Sequence, residues 1–509
     1  MHAILIYNQF MLLGSSSLIP DNYSYPAVLK ACCRLPYTLP KAREVHGHVT
    51  KLGFVSDVYV QNSLIHVYGV LSQIVDARNL FDEMSLRDLT SWNSILTAYV
   101  WACDVRAEVF VLFRKMVCDD VWVDGITLAV VLSGCGGDQE ELSCGRVIHA
   151  YALKHGLVFD VRVGNAVMNA YAKTGDLDAA FGLFEEMGVV RLRDVVSHTI
   201  LINACVESGS LELAREIFDQ MSSRDVVLWN SMIDGYIKAK RPKEALELFK
   251  QMEMEMIAPD ENTMVSVVSA CASLADLNIG RLVHQFIRRQ GIKEDKFVLT
   301  ALVDMYAKCG SLEDALIVFL KMTQKDVFTW TVLIAGFATY GYGKVSFKLF
   351  SMMQCEGVEP NETTFVALLK ACSNAGLIHE GYLWFKRMVE NYSIQPKIEH
   401  FGCMVDLLSR AGMFSEAEEL IKCIPMQERI ILYKTLLRSC ICYGNLHLGE
   451  KISEELTKLN KPLSYGVYVL LSNFYAFARR WEDVEQIRKS ARSSDMKKDA
   501  GISYIEPIA

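Results

Sequence analysis

The chain has 509 residues, 51% of them hydrophobic and 22% charged, with a net charge of −8. That length exceeds an ordinary single domain of about 100–200 residues, the 11 prolines and the lack of a Gly/Ser tract leave no disordered linker, and no apolar run reaches the roughly 18 residues of a membrane span. The acidic balance argues against a nucleic-acid partner, although net charge hides local patches.

Read from the N-terminus, one short motif keeps returning. It appears as NSLI from Asn62, NSIL from Asn93, NAVM from Asn165, TILI from Thr199, NSMI from Asn230, TALV from Thr300 and TVLI from Thr331. Weaker copies are anchored at Pro26, Ala129, Val265, Val366 and Gly402. Successive spacings are 36, 31, 36, 36, 34, 31, 35, 35, 31, 35 and 36 residues, read as eleven units close to 35 residues with a recurrent short form of 31.

Within each unit an apolar-periodic stretch runs into a break centred on Gly, as in TGDL, SGSL, CGSL and AGMF. A second stretch follows, with Ala and Phe or Leu at helical spacing (ALELFKQM from Ala245, ALIVFLKM from Ala315). Gly suits a helix C-terminus that needs left-handed backbone. Sustained period-two alternation is absent. The predicted unit is a helix hairpin and the predicted fold is all-α, an α-solenoid in which stacked neighbours bury what one hairpin cannot. In the phrase YAKTGDLDAAFGLF (171–184), Tyr171, Ala172, Ala180 and Phe184 read as packing residues.

The 15 Cys and 11 His include no C-x-x-C, H-x-E or H-E-x-x-H pattern. Many Cys sit in apolar helical text such as LLKAC and VVSAC and read as small buried thiols in a reducing compartment. No catalytic, metal or cofactor site is expected.

Helix pairs of about 35 residues alternating with 31- and 36-residue forms resemble the pentatricopeptide repeat family, and within it the plant subclass built from P, L and S units in rotation. MVSVVSACASLADLNIGRLVHQFIRRQGI resembles an L unit, VLTALVDMYAKCGSLEDALIVFLKMTQKD an S unit, and VLWNSMIDGYIKAKRPKEALELFKQMEMEMIAPD a P unit. The W-x-x-L-G-x-x-Y pattern of tetratricopeptide repeats is absent. The resemblance implies a right-handed superhelix, with tandem repeats over 22–429. Residues 430–509 look like the family's E motifs, although Asp499, Ala500, Gly501 and Tyr504 stand where Pro-Gly and Trp are usual. Residues 1–21 look like the second half of a repeat, which suggests a truncated gene model or an uncapped variant. Some relatives continue into a DYW domain, a zinc deaminase needing His, Glu and paired Cys. Without those residues the chain is expected not to be an enzyme.

The resemblance also implies how RNA would be read: one base per unit, by the anchor residue together with the Asp or Asn that closes the unit. Asn62 with Asp88, Asn93 with Asp124, Asn165 with Asp194, and Asn230 with Asp260 imply U; Thr199 with Asp225 and Thr300 with Asp326 imply G; Thr331 with Asn361 implies A. The apolar anchors Pro26, Ala129, Val265 and Val366, and Gly402, are left unread. The implied target is U-U-x-U-G-U-x-G-A-x-x, 5′ to 3′. The competing reading is local: Asn or Thr at a helix start and Asp at a turn are ordinary capping residues. Tyr59, Val196, Val227, Phe297 and Phe328, three residues before an anchor, would wedge between bases or else be buried helix starts. Lys173, Lys238 and Lys308 would meet phosphates or else lie on a solvated helix face. The expected partners are single-stranded organellar RNA and, through 430–506, a DYW-type deaminase or other editing factors in trans, with no membrane. The implied role is site recognition for C-to-U editing, against two alternatives: RNA stabilisation or splicing, and a protein-binding scaffold. Family habit favours the mitochondrion over the chloroplast.

Overall fold

The computed structural model describes residues 4, 5, 7, 9, 21–33, 39–102, 107–135, 139–189, 192–221, 223–425, 429–458 and 465–493. Most of the proposed partial repeat at 1–21, and the departures at 499–504, lie outside them. Among the described residues the regular structure is helical throughout.

The helices come as hairpins, and the sequence explains each boundary. Val161–Lys173 begins after Asp160, whose carboxylate accepts from the Arg162 N–H. It ends before Gly175, whose φ of +78° costs a Cβ-free residue little. Leu177–Val189 then returns. At the corresponding turn of two other hairpins, Ser72 and Lys240 adopt the same left-handed backbone (φ +56° and +58°) with a side chain attached. Tyr171, Ala180 and Phe184 are buried, as read from the repeated phrase, whereas Ala172 is only half-buried.

Among the described residues, twelve hairpins lie between Ser24–Cys32 and Phe414–Lys422, one more than the eleven units counted from sequence. The reason is arithmetical: twelve anchors bound eleven intervals. Two further hairpins follow, Arg429–Tyr443 with Leu446–Lys458 and Tyr465–Phe477 with Trp481–Ser493. The chain divides into two compact units, Met1–Ala258 and Pro259–Ala509. Within each, successive first helices pack side by side and each second helix packs on its own first helix.

The junctions between hairpins are of recurrent kinds. Where a P-like hairpin follows a short one, a Phe of the preceding second helix meets a Trp edge to face. Phe81 with Trp92, Phe218 with Trp229 and Phe319 with Trp330 do so at 4.8, 4.7 and 4.6 Å. At three junctions behind an L-like hairpin, a His of the L second helix shares a hydrogen bond with a Tyr hydroxyl of the next hairpin. His46 with Tyr68, His149 with Tyr171 and His284 with Tyr306 are 3.0, 2.9 and 2.8 Å apart. An Arg one turn earlier reaches an Asp of the same neighbour: Arg43 to Asp76, Arg146 to Asp176 and Arg281 to Asp314. The fourth L-like hairpin carries Phe385 in the His register and packs it on Phe401 instead.

Candidate nucleic-acid interface

The seven polar anchors all occupy the fifth residue of a first helix: Asn62 in Val58–Val70, Asn93 in Leu89–Trp101, Asn165 in Val161–Lys173, Thr199 in Val195–Glu207, Asn230 in Val226–Lys238, Thr300 in Lys296–Lys308 and Thr331 in Val327–Thr339. The closing residues Asp88, Asp124, Asp194, Asp225, Asp260, Asp326 and Asn361 are each the N-cap of the next first helix. Within each compact unit, because first helices pack side by side, an N-cap of one hairpin falls beside the fifth residue of the hairpin before it; Asn230 and Asp260 belong to different units.

Direct pairing appears at two junctions. The Asn62 amide donates to Asp88 Oδ1 at 3.2 Å, and the Asn165 amide donates to Asp194 Oδ1 at 3.1 Å. At three others a third residue intervenes, and the sequence reading missed it. It is a Ser or Thr three residues after the cap, whose hydroxyl sits between the two members of the pair. Thr127 Oγ1 lies 2.8 Å from both Asn93 Oδ1 and Asp124 Oδ1. Thr329 Oγ1 lies 2.9 Å from Thr300 Oγ1 and 2.8 Å from Asp326 Oδ1. Thr364 Oγ1 lies 2.8 Å from Thr331 Oγ1 and 2.9 Å from Asn361 Oδ1. At Asn165 both links coexist, with Ser197 Oγ 2.6 Å from the amide oxygen. The signal was present in the sequence as Asp-x-x-Ser/Thr or Asn-x-x-Thr, the capping-box spacing. Asp225 is followed by Leu228 in that register, and there the Thr199 hydroxyl turns to the Val195 carbonyl at 2.8 Å.

Capping does not by itself exclude a further hydrogen-bond partner at these residues. The caps at Asp88, Asp194 and Asp124 all use Oδ1, for the backbone N–H and hydroxyl three residues on. A carboxylate has a second oxygen with its own lone pairs. Burial disfavours the charged form of Asp88 and Asp194, but their hydrogen bonds outweigh it and hold both carboxyls below the usual range. At Asp326 burial is again outweighed, here by the Lys296 ammonium at 2.6 Å and by Thr329, so its carboxyl is lowered to about 2. At neutral pH these groups are acceptors only. An acceptor suits a base whose Watson–Crick edge presents a ring N–H, as uracil and guanine do. The Asn361 amide also donates, which suits adenine, whose ring nitrogen accepts.

The five residues three before an anchor are not buried. Tyr59, Phe297, Phe328, Val227 and Val196 are 74, 69, 63, 60 and 55% exposed, although all are apolar or aromatic. Their helices start at an exposed turn, so nothing covers the second helical residue. The three lysines fare differently. Lys238 and Lys308 each pair with an Asp one turn back on their own helix, Asp234 at 2.8 Å and Asp304 at 2.7 Å. Lys173, exposed, has Asn169 in that place.

The proposed elements converge most completely in the Pro259–Ala509 unit. A groove of about 450 Å³ is lined by Phe328, Thr331, Asn361, Lys308 and Lys370. An exposed aromatic ring, both members of an anchor–cap pair and two cationic side chains thus face one space.

The comparisons agree with this architecture. The PPR repeat model matches residues 62–89, 165–189, 196–226, 297–327, 363–392 and 399–426, and the PPR repeat family model matches 224–273 and 325–374. The E motif model matches 443–506. The chain is 38% identical over 506 residues to the pentatricopeptide repeat-containing protein At4g38010 of Arabidopsis thaliana, covering 99% of this chain and 83% of that one. It is 32% identical to the chloroplastic protein DOT4 of the same plant, covering 98% of this chain and 64% of that one. With the mitochondrial protein At2g22410 it shares 34%, covering 99% and 73%. The fold is similar to the crystal structure of the pentatricopeptide repeat protein PPR10 from maize, with a TM-score of 0.50 at 17% identity over 97% of this chain and 86% of that one. The chain belongs to the pentatricopeptide repeat family and carries that family's E motif behind its helical repeats.

Proposed function

We propose that this chain is a sequence-specific, single-stranded RNA-binding protein of a plant organelle. In this reading it selects a site for C-to-U editing and recruits a deaminase in trans through 430–506, without catalysing the reaction itself. The observation that carries the reading is the groove in which Phe328, Thr331 and Asn361 meet beside Lys308 and Lys370. A ring for stacking, two polar groups for a base edge and cations for the backbone are what one nucleotide requires. Within each compact unit, the recurrence of the anchor–cap pair at regular intervals extends that site into a row. Family membership supports the assignment, and relatives whose names place them in chloroplast or in mitochondrion support an organellar address. The mitochondrion is the first choice.

A gel-shift with U-U-x-U-G-U-x-G-A-x-x and a scrambled control tests the RNA reading. Tighter binding of the implied sequence is expected, and equal binding would return the scaffold reading. Transcriptome sequencing of a plant line lacking the protein tests the role. Loss of one specific C-to-U event is expected; intact editing with altered transcript ends or retained introns would favour stabilisation or splicing.

A further inference from the structure

A second groove, of about 610 Å³, lies beyond the last anchor–cap pair and inside the same compact unit. Lys370 lines both grooves, so the second continues from the wall of the first. Its other walls come from Ile398–Arg410 and Arg429–Tyr443, the last hairpin before the E motif match and the first helix beside it.

The two grooves are built from the same helix positions. Lys370, Asp406 and Arg438 stand four residues after the anchor registers of their helices, as Asp304 and Ala335 do in the first groove. Tyr443 donates its hydroxyl to the Arg410 carbonyl at 2.9 Å, as Tyr340 donates to the Lys308 carbonyl at 3.1 Å. What differs is the chemistry. The anchor register holds Gly402, which offers a base no side-chain donor or acceptor. A Cβ built there would meet only Leu432 Cδ2, at 3.8 Å, so the place is open.

The charge differs as well. Three cationic side chains, Lys370, Arg410 and Arg438, line the second groove against one carboxylate, Asp406. The Asp406 carboxylate accepts from Ser373 and pairs with Arg410 at 3.0 Å. Lys370 and Arg438 are exposed and have no ion-pair partner among the described residues. In the first groove, by contrast, Lys308 is already paired with Asp304.

Resting on the RNA reading above, we infer that the strand continues 3′ of the last read base into this second groove. There Lys370 and Arg438 hold its phosphates and no base is read. The site takes single-stranded nucleotides of any sequence, and it tethers the stretch next to the E motif by its backbone.

The test uses the full chain and two RNAs. The short one ends at the nucleotide opposite Val366; the long one carries two further 3′ nucleotides, tried as several sequences. The long RNAs are expected to bind roughly 3- to 10-fold tighter whatever the added bases, since two phosphates gain cationic partners. Two extra nucleotides at the 5′ end should give no such gain. In the variant Arg438→Ala, which leaves the first groove untouched, the advantage should shrink at least about twofold. The salt dependence of the long RNA should also flatten by about 0.7 per lost contact in log–log slope, with the short RNA unchanged. The Arg438 side chain is exposed, so the variant keeps its core.

Equal binding of short and long RNAs, a gain confined to the 5′ extension, a gain dependent on the added bases, or an advantage undiminished in the Arg438 variant would each overturn the inference. If the variant instead loses only a protein partner of the E motif, the groove belongs to that partner. Loss of preference for the implied sequence with the 3′ gain intact would overturn the base-reading assignment alone.

Discussion

Two junctions around the hairpin Val161–Lys173/Leu177–Val189 show how one backbone serves two ends. On its N-terminal side, His149 of the preceding second helix is locked to Tyr171, and Arg146 to Asp176. On its C-terminal side, Asn165, Asp194 and Ser197 form a polar cluster. The first junction follows an L-like hairpin whose anchor is Ala129; the second follows an anchor that can hydrogen-bond. The same arrangement recurs where Val265 precedes the His284–Tyr306 link and Thr300 follows it. Three L-like hairpins put their polar chemistry into holding the next hairpin, whereas hairpins with a polar anchor place theirs at the anchor and cap. In the proposed reading, rigid spacing and base recognition thus fall to different repeats.

That division can be broken from either side. The largest effect should come at the lock. His284→Leu removes the partner of the Tyr306 hydroxyl in a buried setting and should destabilise the protein by about 2 kcal/mol, read as a lower urea midpoint, with base preference unchanged. A smaller effect, of another kind, is expected at an anchor. Thr199→Asn should move preference at its one position from G toward U by about 1 kcal/mol, roughly fivefold, with the urea midpoint unmoved. A shift in stability instead would mean that Thr199 is only a helix-start residue.

Acid separates the two junctions by pH. Burial lowers the pKa of His149 and His284, and the Nε2 of each has no hydrogen-bond partner among the described residues. Stability from these neutral rings is present above the unfolded value of about 6.5 and is lost as pH falls below it. The cap carboxylates, with Asp326 lowered to about 2, contribute above about 4 and lose that contribution only as pH falls toward 2. Two separate losses in a pH–stability profile are expected, with His284→Leu weakening only the upper one. The smallest effect belongs to Lys238→Ala. Its side chain is already paired with Asp234, so RNA affinity should change by less than about twofold; a tenfold loss would restore it as a phosphate contact.

Much of this was legible without coordinates. Unit length, the helix–Gly–helix pattern and the position of every anchor follow from spacing, because helix caps and left-handed turns demand particular residues. The places where reading stopped short are equally instructive. The hydroxyls of Thr127, Thr329 and Thr364 were passed over because their meaning depends on a residue some 30 positions earlier in the chain. Whether Tyr59 and Phe297 were core or surface was undecidable from apolarity alone. The eleven-unit count failed on arithmetic rather than on physics.

The sequence by itself determined the repeat, its hairpin and the identity of the paired residues, since these are local matters of propensity and capping. Only the tertiary structure decided what those residues face. Side-by-side packing of first helices brings a cap beside the preceding anchor, leaves the second helical residue uncovered, and sets Lys370 between two grooves. Such placements join residues far apart in the chain, and no local pattern encodes them.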